Sequence, residues 1–165
     1  MKKFVLLVLI LITGLTVFSQ GIEFQKGRYA EVLEMAKKQN KLVFIDIYTS
    51  WCGPCKHMAD NVFPQAKVGE YYNAHFLNLK LDAEKSEDGK LVAKTFGVSA
   101  YPTFLFVNGD GELVYRFLGG KTVDMFVKEG EKAVDAFALY PFIPRKNLQS
   151  LVLQGIGDSS CDSAF

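Results

Sequence analysis

Two cysteines separated by two residues, Cys52 and Cys55 in "WCGPCK", carry the clearest chemistry in this sequence. Thiolate is the reactive form of cysteine, and a free thiol with a pKa of about 8.5 is mostly protonated at neutral pH. A helical pattern starts directly behind the first cysteine, with Pro54 suited to its first turn. A sulfur just ahead of that turn faces unpaired backbone N–H groups and the positive end of the helix dipole, and both favour the anion. Cys52 is therefore placed to attack a disulfide, and Cys55 lies within reach to close the ring and resolve the mixed disulfide. Thiols in this setting have pKa values of roughly 3.5 to 7.5, and Cys52 is expected in the upper part of that range. Six residues earlier, Asp46 sits in the apolar run "VFIDIY", an expensive place for an acid without a purpose or a partner.

Three other uses of the pair compete. Half a zinc site needs a second ligand pair, but no second Cys or His pair with ligand spacing follows, so His57 and Cys161 would have to complete it. Covalent haem attachment wants Cys-x-x-Cys-His, whereas Lys56 stands where that histidine belongs. A structural disulfide across three residues would constrain the unfolded chain very little. No metal is expected.

The elements that must position these residues follow from periodicity. "RYAEVLEMAKKQN" places Tyr29, Val32, Leu33 and Ala36 on one helical stripe. "KLVFIDIYT" is a nearly continuous apolar run, the pattern of a strand covered on both faces. A helical pattern from Pro54 to about Phe63 is interrupted by Pro64, and "QAKVGEYYNA" gives a helix or turn. "HFLNLKLD" is a second strand, "AEKSEDG" a polar loop, and "KLVAKTFG" a short helix with Gly97 as its C-cap. "TFLFVNGDGELVYRFLG" is two β-runs joined by "NGDG", a hairpin signal. The last helix, in "TVDMFVKEGEKAVDAFALY", carries a stripe of Val123, Phe126, Val127, Val134 and Phe137, weakened by Gly130. Parallel units thus give way to an antiparallel hairpin: an α/β architecture with a mixed sheet and helices on both faces.

The chain has 165 residues, 49% hydrophobic and 22% charged, with a formal net charge of +1. That suits one core and one domain, and offers no strong field to steer it toward nucleic acid or an anionic membrane. "MKK" followed by "FVLLVLILITGLTVF" reads as a signal peptide over residues 1–19, cut after Ser19 to leave Gln20 at the new N-terminus. Its apolar part, roughly 15 residues, is short for a membrane span of about 20, although an uncleaved anchor is the competing reading. Residues 141–165, which include Cys161, form a C-terminal extension without a clear pattern.

"WCGPCK" in a strand–turn–helix context, the acid six residues before it and "YPT" ahead of a hairpin resemble the thioredoxin family, over about residues 24 to 138. The longer stretch "CKHMADNVFPQAKVGEYYNAHFLNLKLDAE…VSAYPTFLFVNGDGE" is similar to secreted thioredoxin-like proteins. It is also similar to the C-terminal domain of the membrane thiol:disulfide interchange protein that carries reducing power into the periplasm. The resemblance implies a thioredoxin fold for residues 20–140. It implies that Asp46 is buried behind the resolving cysteine and assists proton transfer to and from it; burial raises a carboxyl pKa toward values that suit a general base. Trp51, Gly53, Pro54, Tyr101 and Pro102 would meet the substrate. The Tyr101–Pro102 bond would be cis, packed against the cysteine pair, and the Tyr101 backbone would pair with an extended substrate as an added strand.

Two departures matter. Thioredoxins commonly pair this acid with a lysine on the neighbouring strand, and the expected register puts Asn78 there, with Lys80 two residues on and on the same face. Tyr101 is bulkier than the family's usual β-branched residue. With the export read from the leader, the resemblance implies an exported, soluble oxidoreductase that exchanges disulfides with proteins and uses no cofactor beyond its own dithiol. Gly-Pro between the cysteines resembles the reducing members, with a potential of about −270 mV, fed by a membrane thiol:disulfide donor. The alternative is a binding or assembly module of the same fold, with incidental cysteines and a contact made by the C-terminal segment.

Overall fold

The computed structural model describes residues 21–139; the leader, the cut at Ser19, the extension 141–165 and Cys161 lie outside them. Within that span the elements are α1 (Tyr29–Gln39), β1 (Leu42–Tyr48), α2 (Gly53–His57), α3 (Ala66–His75), β2 (Phe76–Asp82), α4 (Glu87–Thr95), β3 (Thr103–Val107), β4 (Leu113–Leu118) and α5 (Val123–Leu139). α2 runs directly into a π-helical turn, Met58–Val62, and the chain turns at Pro64.

The four strands lie in the order β2-β1-β3-β4. β1 and β2 are parallel, while β1/β3 and β3/β4 are antiparallel. The sheet is mixed for a simple reason: β1 and β2 are joined by helical crossovers, and β3 and β4 by a hairpin. Side chains alternate across β1, so one strand feeds two cores. Val43, Ile45 and Ile47 join Val32 and Ala36 of α1 and Val92 of α4 on one face. Phe44 joins Met58, Val62, Tyr72 of α3 and Phe126 of α5 on the other. Asp46 shares the Phe44 side of the strand, the face against which Met58 and Val62 of the π turn pack.

The hairpin is built by Asn108, whose Oδ1 accepts the N–H groups of Asp110 and Glu112, with Gly111 at φ +76°. Gly130, which weakens the α5 stripe on paper, has a packing role: a Cβ there would stand 2.9 Å from the Tyr71 ring, so glycine lets α5 settle on α3. Two features differ from the sequence expectation. The "AEKSEDG" stretch is not all loop, because Ser86 caps α4 by accepting the Gly89 N–H and Glu87 begins the helix. The N-terminal residues also reach the sheet, where Phe24 bridges in parallel to Asn78 at the β2 edge.

Candidate active site at the Cys52–Cys55 pair

Cys52 is the N-cap of α2, extended at φ −76° and ψ 106°, and its Sγ accepts the Cys55 N–H at 3.1 Å. This is the arrangement the spacing demands: the residue that ends the loop presents its sulfur to a free amide of the helix's first turn, that of the third helical residue. Gly53 and Pro54 fill the first turn. Pro54 costs nothing there, since its missing N–H would have had no helical partner. The two sulfurs are joined at 1.98 Å, and both cysteines are buried, 5% and 4% exposed.

Asp46 lies opposite Lys80 in the β1/β2 register, and Asn78 lies opposite Phe44. The expected register was off by two residues: Lys80, not Asn78, stands at the family's lysine position. Sequence could not fix this, because a two-residue slip keeps every side chain on the same face and costs the hydrophobic pattern nothing. Lys80 Nζ stands 3.6 Å from Asp46 Oδ2, an ion pair rather than a hydrogen bond. Neither carboxylate oxygen has a hydrogen-bond partner among the described residues. Burial pushes the Asp46 pKa up to about 6, and Lys80 opposes that rise without cancelling it. The Lys80 ammonium sits over the rings of Tyr48, Phe63 and Phe24, at 4.7, 5.5 and 5.9 Å.

The Tyr101–Pro102 bond is cis. The Pro102 carbonyl accepts the Gly119 N–H at 2.9 Å, whereas the backbone groups of Tyr101 have no backbone partner among the described residues. Trp51 is 68% exposed. Its indole N–H donates to both oxygens of Glu84, at 3.0 and 3.1 Å, and its ring meets Tyr101 edge-to-face with centroids 5.8 Å apart. Trp51 and Tyr101 are thus brought together; Asp46 and Lys80 form a separate pair at the sheet. Glu84 escaped sequence reasoning because it sits in a polar run with no periodicity, and only the fold carries it to Trp51. Asp82 fixes that loop by accepting the N–H groups of Glu84 and Lys85. His57 and Lys56 are exposed on α2, and His75 stacks on Tyr71 at 4.2 Å. Among the described residues no three His, Cys, Asp or Glu side chains gather as a metal site would need.

With this geometry in place, the relatives are informative. The family described as Thioredoxin-like domain matches residues 29–133. The chain is 38% identical over 96 residues to Thioredoxin H4 of Arabidopsis thaliana, covering 58% of this chain and 75% of that protein. Among solved structures, a candidate disulphide-isomerase of Bacteroides thetaiotaomicron superposes with a TM-score of 0.61 at 43% identity, covering 70% of this chain and 94% of the other. The C-terminal domain of Neisseria meningitidis DsbD, in its oxidised form, gives 0.52 at 25% identity, covering 62% and 90%.

The chain belongs to the thioredoxin-like family. It is a thiol–disulfide oxidoreductase with a disulfide-forming Cys52–Cys55 pair.

Proposed function

We propose that this protein works outside the cytoplasm and reduces disulfides in other proteins, drawing electrons from a membrane thiol:disulfide donor and using no cofactor beyond its own dithiol. The observation that carries the reading is the Cys55 N–H aimed at Cys52 Sγ at the mouth of α2. In the reduced protein the same amide would face the Cys52 thiolate.

The step balances without any other reactant. Cys52 thiolate attacks one sulfur of a substrate disulfide, forming a mixed disulfide and releasing the other substrate sulfur as thiolate. Cys55 then loses its proton to Asp46 and attacks Cys52 Sγ. The second substrate sulfur leaves, and the Cys52–Cys55 disulfide is the oxidised product. Two electrons have passed to the substrate. A carboxyl whose pKa lies at about 6 is suited to taking and returning that proton near neutrality. Substrate would lie between Trp51 and the cis Pro102, over Gly53 and Pro54, with its backbone along the unpaired edge of Tyr101. The leader supports export, and the likeness to the DsbD domain supports a periplasmic setting.

Cys55→Ala tests the sequence of events. It is expected to accumulate mixed disulfides with natural partners, which mass spectrometry would identify, while Cys52→Ser accumulates none. Equilibration with glutathione tests the direction. A potential close to about −270 mV supports a reductant, and one near about −120 mV, that of a strong oxidant, would reverse it.

A further inference from the structure

On the side of β2 away from β1, residues 21–25 are fastened to the molecule with unusual care. Asn73 Oδ1 accepts the Glu23 N–H at 2.9 Å and the Asn78 Nδ2–H at 3.0 Å. Asn73 Nδ2 donates to the Gly21 carbonyl at 3.1 Å, and Asn78 Nδ2 donates to the Glu23 carbonyl at 3.3 Å. Main-chain bonds run from Ile22 N–H to the Phe63 carbonyl and from Gln25 N–H to the Asn78 carbonyl, both 2.8 Å. Gly21 runs so close to Phe63 and Pro64 that a Cβ would fall 2.3 Å from the Phe63 carbonyl oxygen.

Two asparagines spent on one short segment need an explanation beyond edge protection, and its position supplies one. The segment walls a cleft of about 350 Å³ whose other side is Ala59, Phe63 and Pro64 and whose lining includes Lys80. Phe24, within the segment that Asn73 and Asn78 hold, meets Phe63 edge-to-face with centroids 5.6 Å apart, and both rings lie beside the Lys80 ammonium. The Lys80 side chain is 27% exposed and the Asp46 side chain 2%. The lysine is therefore the layer between the cleft and the buried acid.

We propose that residues 21–25 are a hydrophobic shield laid against Lys80, and that Phe24, Asn73 and Asn78 are positioning residues which keep bulk water off the buried Asp46 end of the Lys80–Asp46 pair. The shield rests on the proton-carrying reading of Asp46 only for its purpose; its existence is testable without it. The charged and titratable groups that act on Asp46 are Lys80 from β2 and Tyr48 along β1, with Asp82 beyond it. β3 presents Phe104, and Glu23 is the titratable group of the shield itself. In the oxidised protein the cysteines do not titrate, which isolates the carboxyl. Burial is the larger influence on Asp46 and Lys80 the smaller, so admitting water lowers its midpoint even though hydration also loosens Lys80.

The test follows the Asp46 carboxyl carbon by NMR against pH in the oxidised full chain. Phe24→Ala is expected to lower the midpoint by roughly one pH unit, and Asn73→Ala to move it the same way. Phe24→Leu, which keeps an apolar wall, should stay close to wild type, and Lys80→Met should raise the midpoint. Amide exchange at Glu23 and Gln25 reports whether the segment has detached. If Asn73→Ala frees the segment and the midpoint stays put, or if Phe24→Leu shifts as far as Phe24→Ala, the shield is overturned. Turnover separates the two readings: a moved midpoint with an unmoved pH–rate profile supports the shield and removes Asp46 from the proton transfer.

Discussion

Asp46 is where one residue sets a property of the whole protein. An unfolded aspartate titrates at about 3.9, whereas burial in β1 pushes this one up to about 6 against the pull of Lys80. Between those values the folded chain binds more protons than the unfolded one, so stability falls as pH rises through that window and is level on either side. Stability from this group is fully present below about pH 4 and lost above about pH 6. Asp46→Asn, which carries no charge at any pH, is expected to be more stable than wild type at pH 8, by on the order of 3 kcal/mol. The two should be equal near pH 3.5. Urea unfolding at both pH values checks it, and equal midpoints at pH 8 would mean that the acid is not destabilised by its burial. The same variant should slow resolution of the mixed disulfide, which stopped-flow kinetics reads directly.

At the level of elements, α4 shows propensity losing to packing. Gly89 lies in the first turns of this helix, where alanine would ordinarily gain about 1 kcal/mol. A Cβ at Gly89 would stand 1.9 Å from the Asp82 carbonyl oxygen, and backbone cannot step aside as a side-chain tip can. Gly89→Ala is therefore expected to destabilise the protein by at least about 2 kcal/mol, seen as a lower denaturant midpoint. The effect should reach the site. Asp82 sets the loop that carries Glu84, and Glu84 holds Trp51. Trp51 is the single tryptophan of the chain, so its fluorescence anisotropy should fall in Gly89→Ala if the loop has loosened.

For the molecule as a whole, the aromatic face of the sheet is the core on which the π turn following α2 is packed, through Met58 and Val62. Phe44 touches the rings of Tyr72, Phe104, Phe106 and Phe126, with centroids 4.9 to 5.9 Å apart. It thereby ties β1, α3, β3 and α5 together in the same core as Met58 and Val62 of the π turn. Phe44→Ala is expected to cost about 3–5 kcal/mol, measured by denaturant unfolding. A loss below about 1 kcal/mol would mean that the core refills the space.

Much of this was legible in the chain itself. The spacing of Cys52 and Cys55 and the proline between them fixed a sulfur at a helix mouth, because capping is local and depends on neighbours in sequence. The continuous apolar run of β1, the helical stripes and the "NGDG" turn determined the element order, since each depends on a short window. Tertiary structure decided what lies between windows. It chose Lys80 over Asn78 as the partner of Asp46, because a slip of two leaves the buried pattern intact. It brought Glu84 from a polar loop to Trp51, and it laid residues 21–25 across Lys80. Those contacts join positions about 30 to 55 apart in sequence, and no local preference of either partner announces the other.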